Sequence, residues 1–188
     1  MENNKSDNST PPSRGWGANI FAISGSLRAG SSNHNILKHI GSLLPSDVNY
    51  HIYDALSSIP PFDPGVDNDT PPEAVIALRN AIIAADAIII CTPEYAFGVP
   101  GQLKNALDWL VSSSTLVDKP VVLITASLGG ENAHASLQLT LNALSANITD
   151  TLLIQFIRSK MDVDGNVTDE KVKIGLEQVA TKLLIVIG

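Results

Sequence analysis

Apolar and polar residues follow two different periodicities along this chain. Short runs that are almost entirely apolar, such as residues 87–91 and 120–126, predict strands covered on both faces. Segments whose apolar residues recur at i, i+3, i+4 and i+7 predict amphipathic helices. Strands are expected at residues 19–24, 48–54, 87–91, 120–126 and 151–157. Helices are expected at 33–44, 73–85, 102–112, after residue 132 to about 144, and from residue 169, with Thr168 as the last N-cap.

Five strands that alternate with five helices predict an α/β fold, a doubly wound parallel sheet with helices on both faces. The length of 188 residues fits one domain, and five strands favour the order 2-1-3-4-5. In that order the loops after the first, third and fourth strands border a single crevice. Residues 1–17 are rich in Asn, Ser and Pro and predict a disordered tail, which leaves residues 18–188 as the domain.

The loop after the first strand is built from small residues around Arg28 and leads into a helix. The first N–H groups of a helix are unpaired and carry partial positive charge, so they attract anions. Ser26, Ser31 and Ser32 add hydroxyl donors, and Arg28 can make charge-assisted bonds. Two interpretations stay open: a phosphate site, or an ordinary loop capped by Ser and Asn residues. The sequence lacks G-x-x-x-x-G-K-[ST] and lacks G-x-G-x-x-G after the strand, so a terminal monophosphate fits better than a triphosphate or pyrophosphate.

The loops after the third and fourth strands have a different character. The third-strand loop offers backbone N–H groups and two aromatic side chains, and the fourth-strand loop has small residues that let a ligand approach closely. These residues are Pro93, Glu94, Tyr95, Ala96, Phe97, Ser127, Gly129 and Gly130. Such a lining suits a planar heteroaromatic ring. A ring at one end and a phosphate at the other describe flavin mononucleotide (FMN).

Two motifs in these loops resemble the NAD(P)H-dependent FMN reductase family, which includes quinone, azo-dye and chromate reductases. The first is Gly25-Ser26-Leu27-Arg28-x-Gly-Ser31-x-Asn33, and the second is Pro93-Glu94-Tyr95 with Pro100-Gly101-x-Leu103-Lys104-Asn105-Ala106-Leu107-Asp108-Trp109. The resemblance extends over about residues 19–188. The chain departs from it at Ala96, where many members carry Asn, and at Ser32, where several carry an aromatic residue.

The resemblance implies a flavodoxin-like fold in which Ser26, Arg28, Ser31 and Asn33 hold the FMN phosphate. It implies that Pro93, Glu94, Tyr95 and neighbouring backbone line the ring and ribityl chain, and that residues 127–130 close over the ring. The implied activity passes hydride from NADPH or NADH to the flavin and then to a quinone, free flavin, azo compound or metal oxyanion. The flavin carries the chemistry, so no side chain is expected to be catalytic. A flavodoxin-like electron carrier and a non-catalytic FMN-binding sensor remain alternatives.

Charge and residue composition argue against several other classes of function. A net charge of −7 without a basic cluster argues against nucleic-acid and anionic-membrane partners, and the apolar runs are too short to span a bilayer. The sequence shows no signal-peptide pattern, and its single cysteine, Cys91, fits a cytoplasmic protein and is expected in the core. The four histidines are scattered, so no metal site is assigned. A structural or dimer role is expected for Glu94, and an exposed flavin ring favours a homodimer or homotetramer.

Overall fold

The computed structural model describes residues 17–188. The strands are β1 (Asn19–Ser24), β2 (Asn49–Tyr53), β3 (Ala87–Thr92), β4 (Pro120–Ala126) and β5 (Asn147–Ile154). The helices are α1 (Ser32–Leu43), α2 (Glu73–Ala84), α3 (Gly101–Asp108), α4 (Glu131–Ala143) and α5 (Glu170–Ile187). The tail predicted for residues 1–17 lies outside the described residues, apart from Gly17.

The five strands form one parallel sheet in the order β2-β1-β3-β4-β5, which confirms the predicted fold and strand order. All six residues of β3 are buried, as its continuous apolar sequence predicts for a central parallel strand. Because all strands run the same way, their carboxyl ends lie at one edge of the sheet. The loops that follow β1, β3, β4 and β5 therefore emerge together.

Two apolar clusters cover the two faces of the sheet. Helices α2, α3 and α4 pack on one face, and α1 and α5 pack on the other. Close packing constrains Gly41 in α1, where an added Cβ would lie 2.8 Å from the Tyr50 ring. In the described part of the chain, no helix combines the length and the apolar character needed to cross a membrane.

Three predicted boundaries were wrong. The third helix ends at Asp108 rather than residue 112, because the carbonyl of Trp109 accepts from Arg79 instead of continuing the helix. The fifth strand spans Asn147–Ile154 rather than 151–157, since it pairs with the whole length of β4 from Pro120 onward. Asp169, not Thr168, is the N-cap of α5, and its carboxylate accepts a hydrogen bond from the Val172 N–H.

Two side chains of α3 and that of its C-cap residue, Trp109, anchor the long connection between β2 and α2. The Asn105 amide accepts from the Phe62 N–H and donates to the Pro60 carbonyl, and the Trp109 indole N–H donates to that same carbonyl. The Gln102 amide donates to two carbonyls at the start of the connection. This segment is therefore fixed to α3, although its sequence predicts only an irregular loop.

Candidate functional site

A cleft of about 530 Å³ lies at the carboxyl edge of the sheet. Its walls come from the loops after β1, β3 and β4 and from the segment after β5. This volume falls in the range of small-molecule sites, about 300–1,000 Å³. Nine predicted site residues line it: Ser26, Arg28, Ser31, Ser32, Asn33, Pro93, Glu94, Tyr95 and Ser127. The segments around Arg28 and Tyr95 thus face one common space.

One end of the cleft is the N-terminus of α1. The Ser31 hydroxyl caps this helix by accepting a hydrogen bond from the His34 N–H at 3.2 Å. The N–H groups of Ser32 and Asn33 have no hydrogen-bond partner among residues 17–188, so they remain available to a ligand. Arg28 is exposed on the preceding loop. Free N–H groups, hydroxyls and a guanidinium at one end of a cleft are groups of the kind that bind anions in proteins.

The buried side chain of Asn33 has a structural role. Its amide N–H donates to the Ala126 carbonyl at 3.3 Å, and its amide oxygen accepts from the Cys91 thiol at 3.2 Å. Asn33 therefore joins the start of α1 to the ends of β3 and β4. Complete burial raises the pKa of Cys91, so this thiol stays protonated and unreactive, as expected of a core residue.

The loop after β3 makes a two-residue turn. Tyr95 and Gly98 exchange backbone hydrogen bonds of 3.0 Å, and the residues between them, Ala96 and Phe97, have φ of 49° and 59°. This left-handed backbone costs a residue with a Cβ roughly 1–2 kcal/mol. The turn leaves Ala96 and Phe97 exposed and outside the lining of the cleft, while Tyr95 lines it.

Glu94 connects this loop to the neighbouring one. Its carboxylate accepts hydrogen bonds from the Gly130 N–H at 3.2 Å and the Ala133 N–H at 2.9 Å, at the N-terminus of α4. Its own N–H donates to the Ser127 hydroxyl at 3.2 Å. A side chain from the β3 loop thus caps α4, which supports the structural role expected for Glu94.

Replacing Glu94 by glutamine is expected to lower the free energy of unfolding by about 1–2 kcal/mol, the usual range for losing a helix cap. The amide NH₂ would face N–H donors, and the negative charge at the helix N-terminus would be lost. Chemical denaturation measures the change. Glu131→Gln is the matched control, because Glu131 is exposed in the first turn of α4. Equal losses in the two variants would show that the cap contributes nothing.

The loop after β4 contributes Ser127 and Leu128 to the cleft. Gly129 and Gly130 do not line it. Gly130 is buried at the start of α4 with φ +113°, where an added Cβ would lie 3.0 Å from Leu153 and Thr125. A contact of Ala96, Phe97, Gly129 or Gly130 with a flavin stays a prediction.

Sequence reasoning missed five residues that line the cleft. They are Ala126, Phe156, Ile157, Arg158 and Ser159, whereas Leu128 lies in the predicted loop 127–130. Four of them follow β5, and the misplaced strand boundary put two of these, Phe156 and Ile157, inside a strand rather than a loop. The signal that could have shown this is Arg158-Ser159-Lys160, a polar and basic stretch directly after the apolar run.

Two half-buried histidines lie beside the loops of the cleft. Burial lowers the pKa of His134, whose Nδ1 lies 2.9 Å from the Thr125 hydroxyl oxygen. Burial, and secondarily the charge of Lys38, lower the pKa of His34. Neither residue lines the cleft, and among residues 17–188 no three His, Cys, Asp or Glu side chains are grouped to hold a metal ion.

Stability is therefore expected to fall as the pH drops below about 6.5, the pKa of an unperturbed histidine. A folded-state pKa below that value means that the unfolded chain binds more protons, so acid favours unfolding. Each group contributes a slope of at most about 1.4 kcal/mol per pH unit. Unfolding free energies measured at pH 7.5 and 5.5 should differ less in His134→Gln than in the unmodified protein. If the change in unfolding free energy between the two pH values were the same in both proteins, His134 would not be a source of the pH dependence.

Comparison with known proteins identifies the family. The sequence profile described as NADPH-dependent FMN reductase matches residues 18–156, well over half of the chain. The protein belongs to this family. The match includes the loops after β1, β3 and β4, so it confirms the resemblance seen in the two motifs.

The names of individual relatives are consistent with this family assignment. The chain is 36% identical over 113 residues to a quinone reductase of Escherichia coli, an alignment that spans 58% of this chain and 60% of that protein. It is 32% identical to a 2-hydroxy-1,4-benzoquinone reductase of Burkholderia sp., over 87% of this chain and 92% of the relative. A solved flavoenzyme NAD(P)H:(acceptor) oxidoreductase of Paracoccus denitrificans superimposes with a TM-score of 0.74 and 28% identity, covering 90% of this chain and 97% of that one.

Proposed function

We propose that the protein binds FMN in the cleft and catalyses the transfer of hydride from NADPH or NADH to the flavin and then to a small acceptor. The observation that carries this proposal is the cleft itself, which joins the anion-binding groups at α1 to the aromatic, amide-rich loop after β3. Such a site accepts one ligand that has a phosphate at one end and a flat ring at the other. Residues 18–188 are proposed to act as one FMN-binding domain.

The side chains fit FMN at both ends. At the phosphate end, Ser26, Ser31 and Ser32 and the free N–H groups of α1 would bind the phosphate oxygens together with Arg28. At the ring end, Pro93, Tyr95 and Leu128 offer apolar surface, and the Glu94–Ser127 hydrogen bond fixes the two loops against each other.

When bound, FMN supplies a ring that accepts hydride and passes electrons on, so the protein needs no acid or base of its own. The only titratable carboxyl among the residues that line the cleft is Glu94, and its oxygens already accept hydrogen bonds from α4. The contribution of the chain is thus to bind and orient the flavin and to exclude water with Tyr95, Leu128 and Phe156.

A quinone is the acceptor best supported by the relatives, because two of them are named as quinone and benzoquinone reductases. Free flavins, azo compounds and metal oxyanions are further acceptors to assay.

A homodimer or homotetramer in the cytoplasm is the proposed state of the protein. Tyr95, Leu128 and Phe156 line the cleft with 56%, 75% and 59% of their surface exposed, and a second subunit would cover them. The single buried cysteine suits a reducing compartment. Light scattering coupled to gel filtration measures the oligomeric state.

The test begins by incubating the purified protein with FMN, removing free flavin by gel filtration and recording the absorption spectrum. NADPH or NADH is then added without oxygen, followed by a benzoquinone. Rapid bleaching of the flavin bands and their return with the quinone are expected. Retained flavin that NADPH and NADH leave yellow would indicate a carrier or sensor instead. Absence of any flavin uptake would refute FMN binding.

A further inference from the structure

A second arginine lies at the phosphate end of the cleft. Arg158 belongs to the short 3₁₀ turn Ile157–Lys160 that follows β5, whereas Arg28 belongs to the loop after β1. Both side chains line the cleft, and both also line a polar cavity of about 350 Å³ next to it. Ser32, in the first turn of α1, lines the same two cavities. Both arginines therefore lie where the two cavities adjoin, on the side of the N-terminus of α1.

Neither guanidinium is committed to another side chain. Within residues 17–188, Arg28 and Arg158 form no ion pair and no side-chain hydrogen bond. The nearby carboxylate of Asp162 instead accepts hydrogen bonds from the Asp164 N–H and from the backbone and amide N–H groups of Asn166. That carboxylate is occupied within its own turn, so both arginines keep their donors for a ligand.

Neutralising the charge of a phosphate monoester takes about two positive charges. At pH 7 such a group carries about −1.5 to −2, because its second pKa is near 6. Arg28 supplies one positive charge, and the N-terminus of α1 adds roughly half a charge. A second guanidinium brings the site close to neutrality and adds donors in a planar fork that matches phosphate oxygens.

We propose that Arg158 is a second phosphate-binding residue and makes the cleft selective for FMN over riboflavin, the same flavin without phosphate. This inference rests on the FMN-binding function proposed above. The match to the family profile ends at residue 156, so Arg158 lies outside the aligned region. Its turn is held against the loop after β4, because the N–H groups of Phe156 and Ile157 donate to the carbonyls of Leu128 and Ser127.

The experiment titrates flavin-free protein with FMN and with riboflavin and follows flavin fluorescence. Arg158→Ala should weaken FMN binding about 10- to 100-fold, the range for lost bonds to a charged group. Riboflavin binding should stay within about twofold, because riboflavin has no phosphate. Lys160→Ala is the matched control: it removes a positive charge from the same turn, but Lys160 lines neither cavity. Its affinity for FMN should stay within about twofold.

Arg158→Lys separates charge from geometry. Lysine keeps the positive charge but loses the planar fork, so FMN affinity should lie between those of the unmodified protein and Arg158→Ala. Equal weakening by Arg158→Ala and Lys160→Ala would overturn the proposal, since only the overall charge would matter. Equal weakening of FMN and riboflavin in Arg158→Ala would also overturn it. Failure of the unmodified protein to bind either flavin would refute the FMN function itself. This outcome is distinguishable from failure of the Arg158 proposal, because it is seen without any substitution.

Discussion

Trp109→Ala is expected to lower the free energy of unfolding by roughly 3–5 kcal/mol, the usual cost of removing a large buried aromatic side chain. Trp109 is fully buried, and the Phe62 ring meets it edge-on at a centroid distance of 5.1 Å. Its indole N–H also donates to the Pro60 carbonyl at 2.8 Å. The substitution thus leaves a cavity under α3 and loosens the connection between β2 and α2. Urea denaturation followed by circular dichroism measures the loss.

Two further variants show which property of Trp109 matters. Trp109→Phe should cost less than the alanine variant, because a phenyl ring fills most of the space that alanine leaves empty. In both variants the Pro60 carbonyl keeps its hydrogen bond from the Asn105 amide. Val111→Ala should change stability by less than about 0.5 kcal/mol, since Val111 is 66% exposed. A loss below about 1.5 kcal/mol in Trp109→Ala would contradict the view that this residue anchors the connection.

Arg28→Ala is expected to weaken FMN binding by about 1.5–3 kcal/mol, which corresponds to an increase in Kd of roughly 10- to 140-fold. Arg28 has no ion-pair partner among the described residues, so its guanidinium is available to the phosphate without breaking an existing bond. Its exposure also means that the variant should fold normally. Isothermal titration of the flavin-free protein with FMN gives the affinity.

The control for Arg28 is Lys38→Ala, which removes an exposed positive charge from α1 without altering the cleft. FMN affinity should be nearly unchanged in this variant. Unchanged FMN affinity in Arg28→Ala would refute the assignment of this end of the cleft to the phosphate. If both arginines bind the phosphate as proposed, combining Arg28→Ala with Arg158→Ala should weaken FMN binding more than either substitution alone.

The order of elements and the composition of the two motif loops could be predicted from the sequence. Buried parallel strands have near-continuous apolar sequences, so β1 and β4 were located to the residue. The edge strand β5 was misplaced because it reads as Asn147-Ile148-Thr149-Asp150-Thr151, a polar alternation that is only half buried. The ends of β5 are set by its pairing with β4, and the local periodicity of the sequence carries no information about that pairing.

The sequence alone determined the fold class, the strand order and the family resemblance, because strand burial, helical periodicity and the loop motifs are local properties of the chain. Only the tertiary structure decided that Glu94 caps α4, that Asn33 joins three elements, and that Arg158 reaches the cleft. These roles depend on contacts between residues far apart in the chain. Such contacts form when the sheet brings four loops to one edge, and residue type and spacing do not specify them.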